Sequence, residues 1–73
     1  MLILYGTEGC HLCEQAQVLL RQLGLLWRDV DISENDGLLE RYGEKIPLLR
    51  RQDGRELGWP FDRETLHAFT RQH

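Results

Sequence analysis

The sequence lacks long hydrophobic runs and a strong net charge, and it has only two prolines and two cysteines. Its longest apolar run, residues 1–5, has no basic lead-in and is too short for a signal-peptide core or a membrane-spanning helix. We therefore expect a cytoplasmic protein with no membrane partner. The net charge of −3 gives no overall positive field, so we expect no nucleic-acid partner either.

The chain of 73 residues has room for a single domain, residues 1–73, which we expect to be a monomer. A chain of this length buries only about 60% of its unfolded surface, which excludes multidomain enzymes and large cofactor clefts. With 41% hydrophobic and 29% charged residues, the composition is globular. Residues 1–40 carry seven acids and two bases, whereas residues 41–73 carry five acids and seven bases. The second half is therefore either an anion-attracting surface or an ordinary solvated one.

The two cysteines stand close together, at Cys10 and Cys13. A small secreted protein stapled by disulfides would distribute its cysteines over long loops. A disulfide that closes a four-residue loop adds at most about 2 kcal/mol of stability in the chain-entropy estimate. The pair is therefore better suited to chemistry than to holding the fold together.

Apolar periodicity predicts seven elements. Strands are expected at residues 2–5, 26–32, 46–49 and 55–57, and the first helix spans residues 12–23 with Gly24 as its stop. Ser33 is the expected start of a second helix that ends at Gly43, and Asp62 the cap of a third. Asp53-Gly54 is typical of a two-residue hairpin.

The resulting order is β-α-β-α-β-β-α. Strand–helix–strand units favour parallel pairing with right-handed crossovers, and the hairpin adds an antiparallel edge. We therefore predict the α/β class, with a four-stranded mixed sheet and helices on its faces.

The segment Cys10-His11-Leu12-Cys13 lies where the first strand's loop turns into a helix. A thiol at a helix N-terminus meets free backbone N–H groups and the positive end of the helix dipole, and both favour the thiolate. Cys10 takes that position, and Cys13 lies deeper in the first turn. We expect Cys10 to attack a substrate disulfide and Cys13 to resolve the mixed disulfide. His11 either favours the thiolate when protonated or is an exposed residue without a role.

A zinc site is the main alternative for a C-x-x-C pair. A tetrahedral site needs two further ligands, and the sequence has no second close ligand pair. The only histidines are His11, His67 and His73. We therefore expect no metal, and the strand, C-x-x-C and helix order favours a thioredoxin-like redox motif.

Three segments resemble the small glutaredoxin-like proteins of the thioredoxin superfamily, in particular a short bacterial-type branch. They are Leu4 to Cys13, Lys45-Ile46-Pro47 and Gly58-Trp59-Pro60-Phe61-Asp62. The resemblance covers nearly the whole chain in the right order. It implies a thioredoxin-like fold and thiol–disulfide oxidoreductase activity.

The resemblance also implies roles for individual residues. Cys10 matches the nucleophilic cysteine, Cys13 the resolving cysteine, and Pro47 the family's cis-proline. Ile46 matches the residue whose backbone pairs with a bound thiol substrate like an added strand. In the family's glutathione site, Gly58 matches the first residue of the Gly-Gly pair, and Asp62 matches a polar position that helps to hold glutathione's amino end.

This chain departs from the family pattern at several positions around the site. Glu8 stands where a lysine is common, Lys45 where threonine is usual, and Trp59 in place of the second glycine. His11, Lys45 and Trp59 are therefore candidate modulators of the site. Trp59 and Phe61 either pack the last helix onto the sheet or form a wall of the cysteine site.

The sequence therefore predicts a thiol–disulfide oxidoreductase with no tightly bound cofactor. Its expected partners are glutathione, as a candidate reductant, or a disulfide-containing protein. Two other functions use the same fold. One is a non-catalytic module that binds glutathione or a thiol partner, and the other is an interaction module switched by oxidation of the cysteine pair.

Overall fold

The structure is a computed structural model that describes residues 1–71, and the zinc-site candidate His73 lies outside the described residues. Its elements, in chain order, are β1 (Leu2–Gly6), α1 (His11–Gln22), β2 (Trp27–Asp31), a 3₁₀ turn (Ile32–Glu34), α2 (Asp36–Tyr42), β3 (Leu48–Arg50), β4 (Glu56–Gly58) and α3 (Arg63–Arg71). The predicted α/β order is confirmed.

The four strands form one mixed sheet in the order β2-β1-β3-β4. β1 and β2 are parallel, as predicted, but β3 runs antiparallel to β1. The prediction of parallel pairing was therefore wrong for the second strand–helix–strand unit. The helix in that unit has seven residues and is about 10 Å long, so it does not return the chain to the far end of the sheet. β3 consequently starts at the end where β2 stops.

The helices cover both faces of the sheet, as predicted. Alternating side chains of β1 point to opposite faces, which separates Leu4 from Tyr5. Leu4 packs in a cluster with residues of α1 and α3: Ala16, Leu20 and Leu66, together with Leu49 and Phe61. Tyr5 packs in a second cluster on the α2 side: Ile32, Tyr42 and Leu48.

Helix α2 begins at a different residue from the one predicted. The Asp31 carboxylate accepts from both the N–H and the hydroxyl of Ser33, at 2.9 and 2.7 Å. Ser33 therefore belongs to the 3₁₀ turn, and its hydroxyl is already engaged. Asn35 caps α2 instead, because its Oδ1 accepts the Leu38 N–H at 3.0 Å.

The β3–β4 connection also differs from the predicted two-residue hairpin. The Arg51 N–H donates to the Arg55 carbonyl at 2.8 Å, and the Gly54 N–H donates to the Arg51 carbonyl at 3.0 Å. These bonds enclose a three-residue loop. Gly54 takes φ +92°, a conformation that glycine adopts without steric cost.

A buried guanidinium holds this loop against α3. Arg51 is 7% exposed and donates to both carboxylate oxygens of Asp53 and to the Phe69 carbonyl, the last at 2.8 Å. These bonds from Arg51, and a further one from the Arg55 N–H, lower the pKa of Asp53 to about 2.

We expect the Arg51–Asp53 pair to make stability depend on pH in acid. A carboxyl whose pKa falls on folding stabilises the protein above its unfolded pKa, and this stabilisation is lost as pH falls through the folded pKa. For Asp53 the window runs from about 3.8 down to about 2. Asp53→Asn should therefore lower the urea midpoint at neutral pH and flatten its decline in that window. Glu40→Gln, an exposed α2 substitution, is the control, and an unchanged acid profile in Asp53→Asn would contradict the account.

The described helices are too short or too polar to cross a membrane.

Candidate redox site

The site is built where the loop after β1 enters α1. Gly9 has φ +75°, which turns the chain sharply before the helix. Cys10 follows in an extended conformation and is the N-cap of α1. Its Sγ accepts the backbone N–H of Cys13 at 3.2 Å. A cysteine sulfur therefore occupies the capping position that serine or aspartate usually fills.

Cys10 and Cys13 form a disulfide, and their Cα atoms are 5.2 Å apart. This spacing lies within the usual range for cystines. The neighbouring sulfurs at the start of a helix give the chain redox capacity.

The two sulfurs differ in their access to solvent. Cys13 is 5% exposed, whereas Cys10 is only half-buried. Cys13 packs against β1, where a Cβ built on Gly6 would lie 3.0 Å from its Sγ. Glycine at the end of β1 thus leaves room for the inner sulfur.

The sheet register gathers the other predicted site residues at the same end. Tyr5 pairs with Leu48, which pairs with Gly58. The next residue at the end of β1 is Gly6, and Pro47 immediately precedes β3. The Trp59 N–H donates to the Pro47 carbonyl at 3.1 Å, which extends the ladder beyond β4.

The peptide bond between Ile46 and Pro47 is cis, as the family resemblance implies. Ile46 lies just outside β3 and packs its side chain against the α2-side cluster. The Trp59–Pro60 bond is also cis, a feature that sequence reasoning missed because no local signal distinguishes it from an ordinary X–Pro bond.

Gly58 is the last residue of β4, and Asp62 immediately precedes α3. Gly58 is exposed, and a Cβ built there would meet nothing within 4 Å. Asp62 accepts the Thr65 N–H at 2.8 Å, which confirms its predicted role as the cap of α3. This backbone hydrogen bond lowers the pKa of the Asp62 carboxyl.

The three candidate modulators are distributed around the site. His11 has a side chain that is 90% exposed, with Nδ1 3.6 Å from a Glu14 carboxylate oxygen. Lys45 is exposed in the turn before Ile46. Trp59 is half-buried, lies edge-on to Phe61 at 5.0 Å, and packs with it on the α1–α3 core. The packing interpretation of Trp59 and Phe61 is the one that the structure supports.

A cleft of about 290 Å³ opens beside the cysteines, between α1 and the carboxyl ends of β1 and β2. Both cysteines line it. Its lining includes four acidic residues, Glu8, Glu14, Asp29 and Asp31, and contains no lysine, arginine or histidine. Sequence reasoning missed the two aspartates of β2. The two aspartates could have been found from the parallel pairing of β1 and β2. This pairing brings the carboxyl ends of both strands to the same edge of the sheet.

Within residues 1–71, no group of three or more histidine, cysteine or acidic side chains is placed to hold a metal ion. The cysteine pair therefore has no additional ligands in the described part of the chain.

The fold and the cysteine pair together define a class of protein. It is the thioredoxin-like fold with a redox-capable C-x-x-C at the start of its first helix. The chain belongs to the glutaredoxin-like domain family (DUF836), whose model matches residues 1–70.

Solved structures agree with this assignment of family and fold. The crystal structure of target protein XcR50 from X. campestris is similar to this chain with a TM-score of 0.93 and 40% identity, over 97% of this chain and 96% of that chain. Its solution structure gives a TM-score of 0.88 and 41% identity, over 96% and 91%. The solution structure of protein Ne2328 from Nitrosomonas europaea gives 0.79 and 31%, over 93% and 87%. None of the curated proteins matches the chain.

Proposed function

We propose that the protein is a thiol–disulfide oxidoreductase that reduces disulfides with its Cys10–Cys13 dithiol. The observation that carries the proposal is the asymmetry of the pair. The half-buried Cys10 caps α1, and the buried Cys13 lies behind it. One sulfur is accessible to a substrate, and the other is placed to react only with the first.

The first step is attack by Cys10. In the reduced protein the Cys13 N–H, 3.2 Å from Cys10 Sγ in the disulfide form, is available to stabilise a Cys10 thiolate, together with the positive end of α1. The thiolate attacks one sulfur of the substrate disulfide. A mixed disulfide forms at Cys10, and the substrate's S–S bond breaks to release one thiolate.

The second step is attack by Cys13. Its Sγ approaches Cys10 Sγ along the path that closes the observed disulfide, with the Cα atoms 5.2 Å apart. The Cys10–Cys13 bond forms and the second substrate thiolate leaves. The substrate gains two electrons, the dithiol is oxidised by two, and both thiol protons pass to solvent or to the released thiolates.

Substrate binding and regeneration complete the proposal. Ile46 lies at the open end of β3 beside the cis-Pro47, where its backbone is suited to pair with an extended thiol substrate. The exposed Gly58 leaves open space for a ligand, and the family resemblance assigns Asp62 to the amino end of glutathione. Glutathione or another cytoplasmic thiol returns the disulfide to the dithiol, and no tightly bound cofactor is required.

The direct test is a stoichiometric reaction between the pre-reduced protein and 2-hydroxyethyl disulfide, followed by intact mass and thiol release. We expect one protein dithiol to release two mercaptoethanol molecules and to lose two hydrogens. Protein that stays reduced while the disulfide persists would contradict the proposal.

A further inference from the structure

Four carboxylates surround the cleft at the cysteines. Glu8 comes from the loop before Cys10, and Glu14 follows Cys13 in α1. Asp29 and Asp31 come from β2. The Cys10–Cys13 disulfide lines this cleft, so the cleft is the candidate reaction site whatever its charge. The four carboxylates then affect which substrates approach the disulfide.

Among the described residues, lysine and arginine do not pair with the four carboxylates. In residues 1–71, the ion pairs with lysine or arginine involve only Asp53, and the one histidine near the four is His11, whose exposed Nδ1 lies 3.6 Å from Glu14. Asp29 accepts from Gln17 Nε2 and Trp27 Nε1, at 3.1 and 2.9 Å, and both donors are neutral. Hydrogen bonds from Ser33 lower the pKa of Asp31, so this carboxyl stays ionised further into acid.

The charged side chains that line the cleft are therefore all acidic, and they give it a negative electrostatic potential beside Cys10, the attacking cysteine. A concave surface lined by one sign of charge concentrates ligands of the opposite sign and raises their association rate. The more basic half of the chain, residues 41–73, contributes no residue to this lining. Glutathione disulfide, which carries more carboxylates than amines, is repelled by such a surface.

Resting on the proposed function, we infer that the acidic cleft selects disulfides flanked by positive charge. The substrates of this class are basic peptide or protein disulfides, with lysine or arginine beside the reacting cystine. The chemistry is the two-step exchange given above, and the carboxylates act by attraction without entering the reaction. Glu8 and Glu14 are specificity-determining residues because they flank the cysteine pair in the chain.

Three small disulfides of similar skeleton separate this selectivity from activity itself. They are cystamine, which is doubly positive, 2-hydroxyethyl disulfide, which is uncharged, and dithiodiglycolate, which is doubly negative. The second-order rate constant of the pre-reduced protein with each is divided by that of dithiothreitol with the same compound. This division removes differences in intrinsic reactivity between the three disulfides.

We expect the normalised rate with cystamine to exceed that with dithiodiglycolate by about tenfold or more at low ionic strength. The ratio should fall towards one in about 1 M salt, where the screening length is about 3 Å. The double variant Glu8→Gln/Glu14→Gln should lower the low-salt ratio by about threefold or more. The matched control Glu34→Gln/Glu40→Gln also removes two exposed carboxylates, both outside the cleft, and should leave the ratio unchanged.

The outcomes distinguish this inference from the function on which it rests. Equal normalised rates for the three disulfides would overturn the selectivity and leave the oxidoreductase intact. A preference that survives in the Glu8→Gln/Glu14→Gln protein and in high salt would also overturn it, because the cleft charges would not be its cause. Failure to reduce any of the three compounds would remove the proposed function, and the selectivity with it.

Discussion

Replacing Cys10 by serine is expected to abolish disulfide reduction, with a loss of about a thousandfold or more in the rate with 2-hydroxyethyl disulfide. Serine keeps the capping geometry at the start of α1, since its oxygen accepts the Cys13 N–H as the sulfur does. It does not form the thiolate that attacks a disulfide. The change therefore removes the chemistry and leaves the fold.

The matched variant is Cys13→Ser, which keeps the nucleophile and removes the resolving thiol. It should react once with the substrate and then stop, since the inner sulfur that releases the product is absent. Circular dichroism and urea unfolding of both reduced variants control for folding. Both variants are compared in the stoichiometric reaction without added thiol. Rapid release of mercaptoethanol by Cys10→Ser would refute the assignment of the nucleophile, and release of two mercaptoethanol molecules per chain by Cys13→Ser would refute the resolving role.

Replacing Leu20 by alanine is expected to destabilise the protein by about 2–5 kcal/mol. Leu20 is fully buried in α1 and belongs to the cluster that joins this helix to β1, β3 and α3. Its truncation leaves a cavity at the centre of that cluster. The free energy of unfolding of a small domain is itself only about 5 kcal/mol or somewhat more, so we expect Leu20→Ala to be partly unfolded at room temperature.

The control for this prediction lies on the same helix. Val18 is 45% exposed, so Val18→Ala removes little buried surface and should change stability by about 0.5 kcal/mol or less. Urea titration of both reduced variants measures the difference. Equal urea midpoints for Leu20→Ala and Val18→Ala would contradict the packing described for the α1–α3 face.

The order of elements was predictable because each element has its own local signal. The apolar run before Gly6 and the helical spacing between Leu12 and Leu23 each fix an element without reference to the rest of the chain. The direction of β3 was not predictable from such signals. It depends on how far the short α2 carries the chain, which is a property of the whole connection.

Competition between neighbouring side chains explains the errors at turns. Ser33 is a good capping residue, but Asp31 engages its hydroxyl and N–H first, and Asn35 then caps α2. The dipeptide Asp53-Gly54 signals a hairpin, yet Asp53 binds Arg51 and the loop extends to three residues. Sequence spacing alone does not rank these rival hydrogen bonds.

The candidate site was predictable to the extent that its residues are adjacent in the chain. The cysteine pair and its position at the start of α1 follow from a contiguous motif. The acidic cleft does not, because Asp29 and Asp31 meet Glu8 and Glu14 only through the register of β1 and β2. The roles of Ile46, Gly58 and Asp62, the choice of glutathione as reductant, the monomeric state, the absence of a nucleic-acid partner and the cytoplasmic location stay predictions.

The central claim is that Cys10 captures the substrate and Cys13 releases it. Its most direct test is the intact mass and peptide map of reduced Cys13→Ser after mixing with excess 2-hydroxyethyl disulfide. We predict one mercaptoethanol per chain, attached at Cys10 and removed by dithiothreitol, and a much slower addition to Cys10→Ser under the same conditions, because its remaining thiol, Cys13, is buried. A chain that remains unmodified under conditions in which the protein with both cysteines is oxidised would contradict the claim.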